Sequence, residues 1–166
     1  MVSASDAFDG FFRAHFDKLV GSLSLYCGDR FLGEEAAQEA MVKAFAGGMH
    51  SKDLASPDAW LFVVGRNILT SYFRRRRLLR RVEDIMKASA APTSSQPHYS
   101  WLRQFVDGLP ERQRTVNILR FYLDLSVAQS ADAVGWPENT IKTLTRRGLE
   151  NPRKTLGDGG RNDERE

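Results

Sequence analysis

A stretch rich in arginine, residues 60–81, carries the side chains whose chemistry is clearest in this sequence, and no acidic residue interrupts it. Cations, an amide and a hydroxyl recur there at spacings typical of one side of a helix, namely Arg66, Asn67, Thr70, Arg74 and Arg77. Such a side could bind a polyanion. The alternative is a solvated helix end, because cations near a helix C-terminus also stabilise the helix dipole.

The same stretch predicts an apolar face that packs into a core. Leu61, Val64, Ile68 and Tyr72 recur at intervals of three or four residues, which places them together on a helix. Trp60 should also belong to the core. The four consecutive arginines, residues 74–77, cannot share one face, because successive helical residues turn by about 100°.

Composition limits the class of protein. The chain has 166 residues and a net charge of +3, and seven of its arginines lie between Arg66 and Arg81, which suggests a directed contact rather than a uniformly basic coat. The single cysteine, Cys27, excludes a disulfide within the chain and fits a reducing compartment. Because neither a signal peptide nor a membrane-spanning run is recognisable, we expect a soluble, cytoplasmic protein without membrane insertion.

Residues that support catalysis or metal binding are not grouped in this sequence. The histidines at positions 15, 50 and 98 are scattered, no nucleophile stands with a base, and no glycine-rich phosphate loop occurs. We therefore expect no enzymatic activity, no metal and no cofactor.

Helical periodicity dominates and strand alternation is almost absent, which predicts an all-α fold. Residues 87–100 are rich in Ala, Ser and Pro, a composition that favours a flexible linker. The sequence therefore predicts two small helical domains, at 1–86 and 101–156, and a disordered tail at 157–166. Pro152 should limit the length of the last helix.

Glycine and proline predict where the helices of the first domain end and begin. The Gly28–Gly33 segment should separate the first two helices, Gly47 and Gly48 are typical of a helix C-terminus, and Pro57 suits the first turn of the next helix. The apolar stripe of the second helix should consist of Ala36, Ala37, Ala40, Met41, Ala44 and Phe45.

Residues 127–146 have the spacing of a helix-turn-helix. That motif needs a small residue where the helices cross, a glycine in the turn and an apolar residue inside the second helix. Ala131, Gly135 and Ile141 occupy these places. The accompanying core positions hold Val134, Trp136 and Leu144.

Capping residues support the same motif. Ser126 and Gln129 have the spacing of a capping box, and Pro137 suits the first turn of the second helix. The second helix would direct outward side chains that can pair with bases or phosphates: Glu138, Asn139, Lys142, Thr143, Arg146 and Arg147. The alternative is an ordinary helical hairpin with a glycine turn. Ser130 occupies a position that would normally be aliphatic, so the motif should be less well packed.

The order of these features resembles the extracytoplasmic-function group of bacterial RNA polymerase sigma-70 factors, whose two conserved domains are called region 2 and region 4. Phe8–Arg81 is similar to region 2, and Trp101–Leu156 is similar to region 4. The resemblance is carried by GEEAAQEAMVKAF (Gly33–Phe45), PDAWLFVVGRNILTSYFRRRR (Pro57–Arg77), LPERQRTVNILRFYLDLS (Leu109–Ser126) and VGWPENTIKTLTRR (Val134–Arg147).

The resemblance implies contacts with core RNA polymerase and with promoter DNA. Glu35, Gln38 and Glu39 match the motif by which the family binds the β′ clamp helices, and the β flap would bind region 4. Arg66 and Asn67 match the pair that faces the −10 element, while the arginine tract would supply general attraction to phosphates.

Further expectations follow from the same resemblance. The Gly47–Asp58 loop matches the segment that captures a flipped base of the −10 element, and the second helix of the helix-turn-helix would read the −35 element. An anti-sigma factor is implied as a regulatory partner. We therefore expect a sigma factor that binds core polymerase, recognises both promoter elements and promotes DNA melting.

Two alternatives remain open: a sigma-like decoy that sequesters an anti-sigma factor, and a helix-turn-helix regulator that acts without polymerase. The sequence departs from the family pattern at Gln129, Ser130, Gly148 and Pro152. These departures would weaken −35 recognition more than they would change the fold.

Overall fold

The computed structural model describes residues 3–48, 54–83 and 100–158. Within these ranges the secondary structure is helical and contains no strand, which confirms the all-α prediction. The chain divides into two compact units, residues 1–97 and 98–166, and both contain buried apolar side chains. Most of the predicted linker and most of the predicted tail lie outside the described residues.

Three helices form the first unit: α1 (Ala4–Cys27), α2 (Arg30–Ala46) and α3 (Pro57–Glu83). Capping side chains fix where the first two begin. Ser3 forms a capping box with Asp6, and the Asp29 carboxylate accepts a hydrogen bond from the backbone N–H of Leu32 at 3.2 Å.

The break between α1 and α2 is shorter than the sequence predicts. α1 ends at the left-handed residue Gly28, and α2 begins at Arg30. Gly33 therefore lies inside α2 and packs against Ser24 of α1, where an added Cβ would meet the serine Oγ at 2.5 Å. Gly33 allows α1 and α2 to approach each other closely. In the sequence, a glycine with this packing role cannot be distinguished from one that ends a helix.

Small side chains on α2 allow close packing of the three helices. The predicted alanine-rich stripe is buried at Ala36, Ala37, Ala40, Met41 and Ala44. Phe45 is the exception, because it is 50% exposed and its ring lies edge-on to Phe8 of α1 with 4.8 Å between the centroids. The large core side chains come from the other two helices and include Leu23 and Phe62.

The buried stripe of α3 differs from the predicted one. Leu61, Phe62 and Leu69 are buried, Tyr72 is 39% exposed, and the other predicted members are only partly buried. α3 packs against α1 and α2 at the same time. Its buried stripe therefore follows the seam between two partners, and the residues beside the seam are left to line a groove.

The second unit contains α4 (Ser100–Asp107), α5 (Glu111–Asn117), a π-helical segment (Ile118–Tyr122), α6 (Val127–Val134) and α7 (Glu138–Asp158). The predicted capping box is confirmed, because the Gln129 N–H donates to Ser126 Oγ at 3.0 Å and the Ser126 N–H donates to Gln129 Oε1 at 2.9 Å. Gly135 in the following turn has φ of 70°, which a residue with a Cβ adopts at a cost.

The core of the second unit joins the helix-turn-helix to α5. Val116, Ala131 and Ile141 are buried together, one from each of α5, α6 and α7. The predicted partners Val134, Trp136 and Leu144 pack against them, as does Val127. The predicted crossing of α6 and α7 is therefore confirmed.

α7 departs from the prediction at both ends. Pro137 precedes the helix instead of occupying its first turn, and its carbonyl accepts a hydrogen bond from the Ile141 N–H at 3.2 Å. At the other end the helix passes through Pro152 and continues to Asp158. A proline removes one backbone hydrogen bond and bends a helix, but it does not have to end it.

Two departures from the family pattern are buried in this unit. Ser130 is 0% exposed, and its Oγ has no hydrogen-bond partner among the described residues. Gly148 is buried against Asn117, whose Nδ2 donates to the Gln113 carbonyl at 2.8 Å, and a Cβ at position 148 would collide with this amide. Gly148 is therefore matched to the buried asparagine beside it.

We expect Ser130→Ala to stabilise α6 by about 1–2 kcal/mol, because the change removes an unpaired buried hydroxyl. Hydrogen exchange of the α6 amides, followed by mass spectrometry, measures the effect. Ser126→Ala is the matched control on the same helix and should lower protection by about 1 kcal/mol, because it removes the cap. Lower protection in Ser130→Ala would show that this hydroxyl contributes to packing.

We expect Gly148→Ala to destabilise the second unit by about 1–3 kcal/mol, because the new Cβ overpacks the core against Asn117. In the double variant Asn117→Ala/Gly148→Ala the cost should be smaller than the sum of the two single costs, by about 1 kcal/mol or more. Urea unfolding of the four proteins gives this coupling. Additive costs would mean that the two positions are independent.

Candidate functional site

A groove of about 900 Å³ runs between α2 and α3 in the first unit. On the α2 side it is lined by Glu35, Gln38 and Glu39, the three residues predicted to contact core polymerase. The α3 side contributes Val64, Asn67, Ile68, Tyr72 and Arg75. The structure thus brings the three predicted residues together on one wall, opposite the side chains of α3 that lie beside the buried stripe.

The α2 wall of the groove is acidic and accessible. Glu35, Gln38 and Glu39 are all exposed, at the spacing that aligns side chains along a helix. Glu39 Oε1 lies 3.6 Å from Nζ of Lys43, one turn later on the helix. Both side chains are more than half exposed, so this ion pair contributes little to stability. Glu35 has no ion-pair partner among the described residues. Both carboxylates are therefore available to cations of a partner.

Apolar side chains make the groove suitable for a protein partner. Val64 and Ile68 are partly buried on the α3 side, Tyr72 is exposed, and Val42 of α2 is 65% exposed. Exposed apolar groups rimmed by charges are typical of a protein interaction surface. The chemistry fits a helix that carries both aliphatic and cationic residues.

The residues predicted to face DNA lie along another side of α3. Asn67, Thr70, Arg74 and Arg77 are exposed, and Arg66 is partly buried. This set is continuous on the helix, as the sequence predicts. We call it the arginine face of α3.

Hydrogen bonds orient the first side chains of the arginine face, those of Arg66, Asn67 and Thr70. The Thr70 hydroxyl donates to the Arg66 carbonyl at 2.9 Å, and its oxygen lies 3.5 Å from the hydroxyl of Tyr26 on α1. Arg66 Nη2 donates to Asn67 Oδ1 at 3.4 Å, a long and weak contact. The start of the arginine face thus contacts α1 through Thr70, whereas Arg74 and Arg77 are exposed.

Asn67 lies at the boundary between the two surfaces, because it belongs to the arginine face and also lines the groove. Arg75 lines the groove, Arg74 is exposed outside it, and Arg76 is partly buried. The consecutive arginines thus project to different sides, as the helical rotation requires. The sequence predicted this dispersion but not which arginine turns toward α2.

The beginning of α3 is joined to α1 by side-chain contacts of Asp58 that the sequence does not reveal. Asp58 lies 2.7 Å from His15 Nδ1 through one carboxylate oxygen and 3.2 Å from Lys18 Nζ through the other. The partners are more than 39 positions apart in sequence, so no local spacing reveals the contact. It fixes one end of the Gly47–Asp58 loop. Residues 49–53 of that loop lie outside the described residues.

In the second unit, most of the side chains predicted to contact DNA are accessible on α7. Glu138, Asn139, Lys142, Arg146 and Arg147 are exposed, and Thr143 is partly buried. Arg146 lies 3.5 Å from Glu150 one turn later, in a pair exposed to solvent. The predicted surface is therefore present on the second helix of a formed helix-turn-helix.

A cation–π contact supports the turn of this motif. The Arg112 guanidinium of α5 lies 4.4 Å from the centroid of the Trp136 ring, which follows Gly135 in the turn. The contact links α5 to the segment that orients α7.

The described residues contain neither a membrane-spanning helix nor a cluster of metal ligands. No described helix is long and apolar enough to cross a membrane. No group of three or more His, Cys, Asp or Glu residues in the described ranges could hold a metal ion.

Two family descriptions match the chain in the order in which its two units occur. Residues 11–78 match Sigma-70 region 2, and residues 99–151 match Sigma-70, region 4. The first match contains the groove and the arginine face, and the second contains the helix-turn-helix.

Curated relatives of this chain are also sigma factors. The ECF RNA polymerase sigma factor EcfG of Rhodopseudomonas palustris is 31% identical over 120 residues, which are 69% of this chain and 65% of the relative, just under two thirds of its length. The ECF RNA polymerase sigma factor SigW of Bacillus subtilis is 25% identical, with 92% of this chain and 90% of the relative covered.

The fold is similar to that of the sigma factor RpoE from Bartonella quintana, solved in complex with the anti-sigma factor NepR. The TM-score is 0.75 at 21% identity, with 90% of this chain and 96% of that chain covered. The chain belongs to the sigma-70 family of RNA polymerase sigma factors. Within that family it is a member of the extracytoplasmic-function group.

Proposed function

We propose that this protein is a sigma factor that binds core RNA polymerase, directs it to promoters with −10 and −35 elements, and promotes melting of the −10 region. One observation carries the proposal. Region 2 and region 4 occur in the family's order, and each unit has a surface that supports the proposed role of its region. These surfaces are the acidic groove with the arginine face, and a formed helix-turn-helix.

Core polymerase would dock on the groove between α2 and α3. Glu35, Gln38 and Glu39 would contact the β′ clamp helices, where carboxylates can pair with cations and direct the encounter. The apolar residues that line the groove, Val42, Val64 and Ile68, would pack against aliphatic side chains of the clamp helices. The β flap would bind the second unit.

DNA melting would rely on the arginine face and on the Gly47–Asp58 loop. A factor that opens DNA without hydrolysing ATP can bind unstacked bases, which offsets an unpairing cost of a few kcal/mol per base. Arg66, Asn67 and Thr70 lie at the start of the arginine face, where Thr70 contacts Tyr26 of α1 and donates to the Arg66 carbonyl, so we assign them to base contacts. Arg74 and Arg77 project into solvent and suit phosphate contacts that do not depend on sequence.

The −35 element would be read in the major groove by α7. Asn139, Lys142 and Arg146 lie on one exposed side of the helix and can pair with bases or phosphates, and Glu138, Thr143 and Arg147 flank them. The compensating Asn117 beside Gly148 and the formed capping box argue that the departures from the family pattern leave this unit able to bind DNA.

The domain boundaries belong to this proposal. We assign region 2 to residues 1–86, a linker to 87–100, region 4 to 101–156, and a tail to 157–166. We also propose that the chain has no catalytic activity or cofactor of its own and works in the cytoplasm as a subunit of polymerase.

An anti-sigma factor is the remaining proposed partner. RpoE of Bartonella quintana, whose fold is similar, was solved in complex with the anti-sigma factor NepR. For this chain the groove is the surface whose occupation would prevent polymerase binding. A decoy that only sequesters such a factor would need no arginine face, and a regulator independent of polymerase would need no groove.

We expect the double change Glu35→Gln/Glu39→Gln to weaken binding to core polymerase about tenfold, because two charge pairs at the interface are lost. Binding is measured with purified core polymerase and labelled full-length chain. Glu34→Gln is the matched control, since Glu34 is exposed on the same helix but does not line the groove. Equal losses in both proteins would refute the assignment of the groove.

We expect Arg66→Ala and Arg74→Ala each to reduce open-complex formation about tenfold, with core binding changed less than about twofold, because the lost contacts are to DNA. Open complexes are measured by permanganate footprinting and run-off transcription on promoters selected with the wild-type chain.

Arg75→Ala removes the same charge from the groove side of α3 and is the control for net charge. If it lowers promoter opening at saturating core-bound protein as much as Arg74→Ala, the assigned DNA face is wrong. Core binding without any transcript in the wild type would support the decoy. Absence of core binding would leave only a polymerase-independent regulator.

A further inference from the structure

The outward side of α2 carries exposed apolar side chains that the groove does not account for. Phe31 is 69% exposed and Phe45 is 50% exposed, and neither of them lines the groove. Val42, between them, is 65% exposed. Large apolar groups that stay accessible beside charged residues are typical of a surface that another protein covers. The first unit therefore has apolar contact area beyond the groove itself.

These side chains belong to one row on α2 that has the spacing of a coiled-coil seam. The steps along the row alternate between four and three residues, and its members are Phe31, Glu35, Gln38, Val42 and Phe45. At about 100° and about 1.5 Å per residue they fall within an arc of about 80° and span about 21 Å. All five side chains are exposed. We call this row the outer stripe of α2; it can receive a second helix along its whole length.

The outer stripe is symmetric about Gln38. Phe31 lies seven residues before it, and Phe45 lies seven residues after it. When two copies of the stripe run antiparallel across a two-fold axis, Gln38 of one copy faces Gln38 of the other, and Phe31 faces Phe45 at both ends. An interface between identical copies requires this symmetry, because the same residues must serve both sides. The outer stripe is therefore complementary to itself.

Charges beside the outer stripe agree with the antiparallel arrangement. Lys43 lies five residues after Gln38 and Glu35 lies three residues before it, so Lys43 of one copy is offset by about 3 Å along the helix from Glu35 of the other. Both residues line the groove side of α2. Glu35 has no ion-pair partner among the described residues, and the pair of Lys43 with Glu39 is exposed and weak. A second copy thus supplies Glu35 with a cation.

We propose that a second copy of this chain docks on the outer stripe of α2, and that the resulting antiparallel dimer holds the chain in a form that does not bind polymerase. Glu35 and Gln38 belong to the stripe and are also assigned to the β′ clamp helices, so the two partners exclude each other. This exclusion rests on the proposed function, whereas the dimer itself does not. One pair of helices buries less than a standard protein interface, so we expect a dissociation constant on the order of 10 µM.

Sedimentation of the full-length chain from about 1 µM to about 200 µM measures the dimer. Phe31→Gln should raise its dissociation constant at least about tenfold, because an aromatic contact is lost at both ends of the symmetric interface. Phe121→Gln is the matched control, since Phe121 is 51% exposed but belongs to the second unit. It should change the constant less than about twofold.

Circular dichroism melting checks that both variants remain folded. If the wild type stays monomeric over the whole range of concentration, the proposal is overturned and the outer stripe is left to polymerase. Equal effects of Phe31→Gln and Phe121→Gln would also overturn it, because the contact would then lie elsewhere.

Single cysteines test the position of the two-fold axis. In a Cys27→Ser background, Gln38→Cys should form a disulfide between two copies on mild oxidation, because the two side chains face each other at the axis. Glu34→Cys is the matched control, since Glu34 is exposed on the same helix but its two copies would lie about 12 Å apart along the helix. Equal cross-linking of the two variants, or none in either, would refute the antiparallel register.

Added core polymerase tests the exclusion. Light scattering should show the wild-type dimer converted into complexes that contain one chain per polymerase, because polymerase captures the monomer. Complexes with two chains per polymerase would show that the dimer leaves the groove open. A wild type that dimerises but does not bind core polymerase would refute the proposed sigma function and leave the dimer intact, so the two failures are distinguishable.

Discussion

The burial of one side of α3 against α1 and α2 is the interaction on which the surfaces of the first unit depend. Leu61, Phe62 and Leu69 occupy the seam between the two partner helices. Each fully buried side chain of this size contributes about 1.5–3 kcal/mol, so the rotation of α3 about its axis is fixed strongly. Once it is fixed, the turn of about 100° per residue decides which polar side chain meets which surface.

The position of this seam explains what the sequence could and could not predict. Spacing alone identified a helix with an apolar side and a polar side, and both exist. It placed the apolar side too far toward Val64, Ile68 and Tyr72, because a spacing pattern assumes a single partner. The displacement opens the groove, so the error in the predicted core marks the residues that remain available to a partner. The spacing pattern likewise places Asn67 on the arginine face alone, although its side chain also lines the groove.

Pairs of residues distant in sequence account for the other differences. Ser130 and Gly148 were judged one position at a time, as departures that weaken the helix-turn-helix. In the structure Gly148 is matched to Asn117, a coupling over more than 30 positions that no periodicity reveals. The tie between Asp58 and His15 is of the same kind. Capping residues and the left-handed glycine were predicted correctly because their chemistry is complete within four or five residues.

Charge separation within the first unit agrees with the use of two partners. The acidic wall of the groove and the arginine face lie on neighbouring helices, yet Glu35, Arg74 and Arg77 have no ion-pair partners among the described residues. If these groups neutralised each other, neither surface would attract a partner. The buried seam limits this by keeping Arg74 and Arg77 outside the groove, which Arg75 and Asn67 line. Packing of apolar side chains thus keeps Arg74 and Arg77 apart from the acidic wall, as the proposed use of one surface for a protein and of the other for DNA requires.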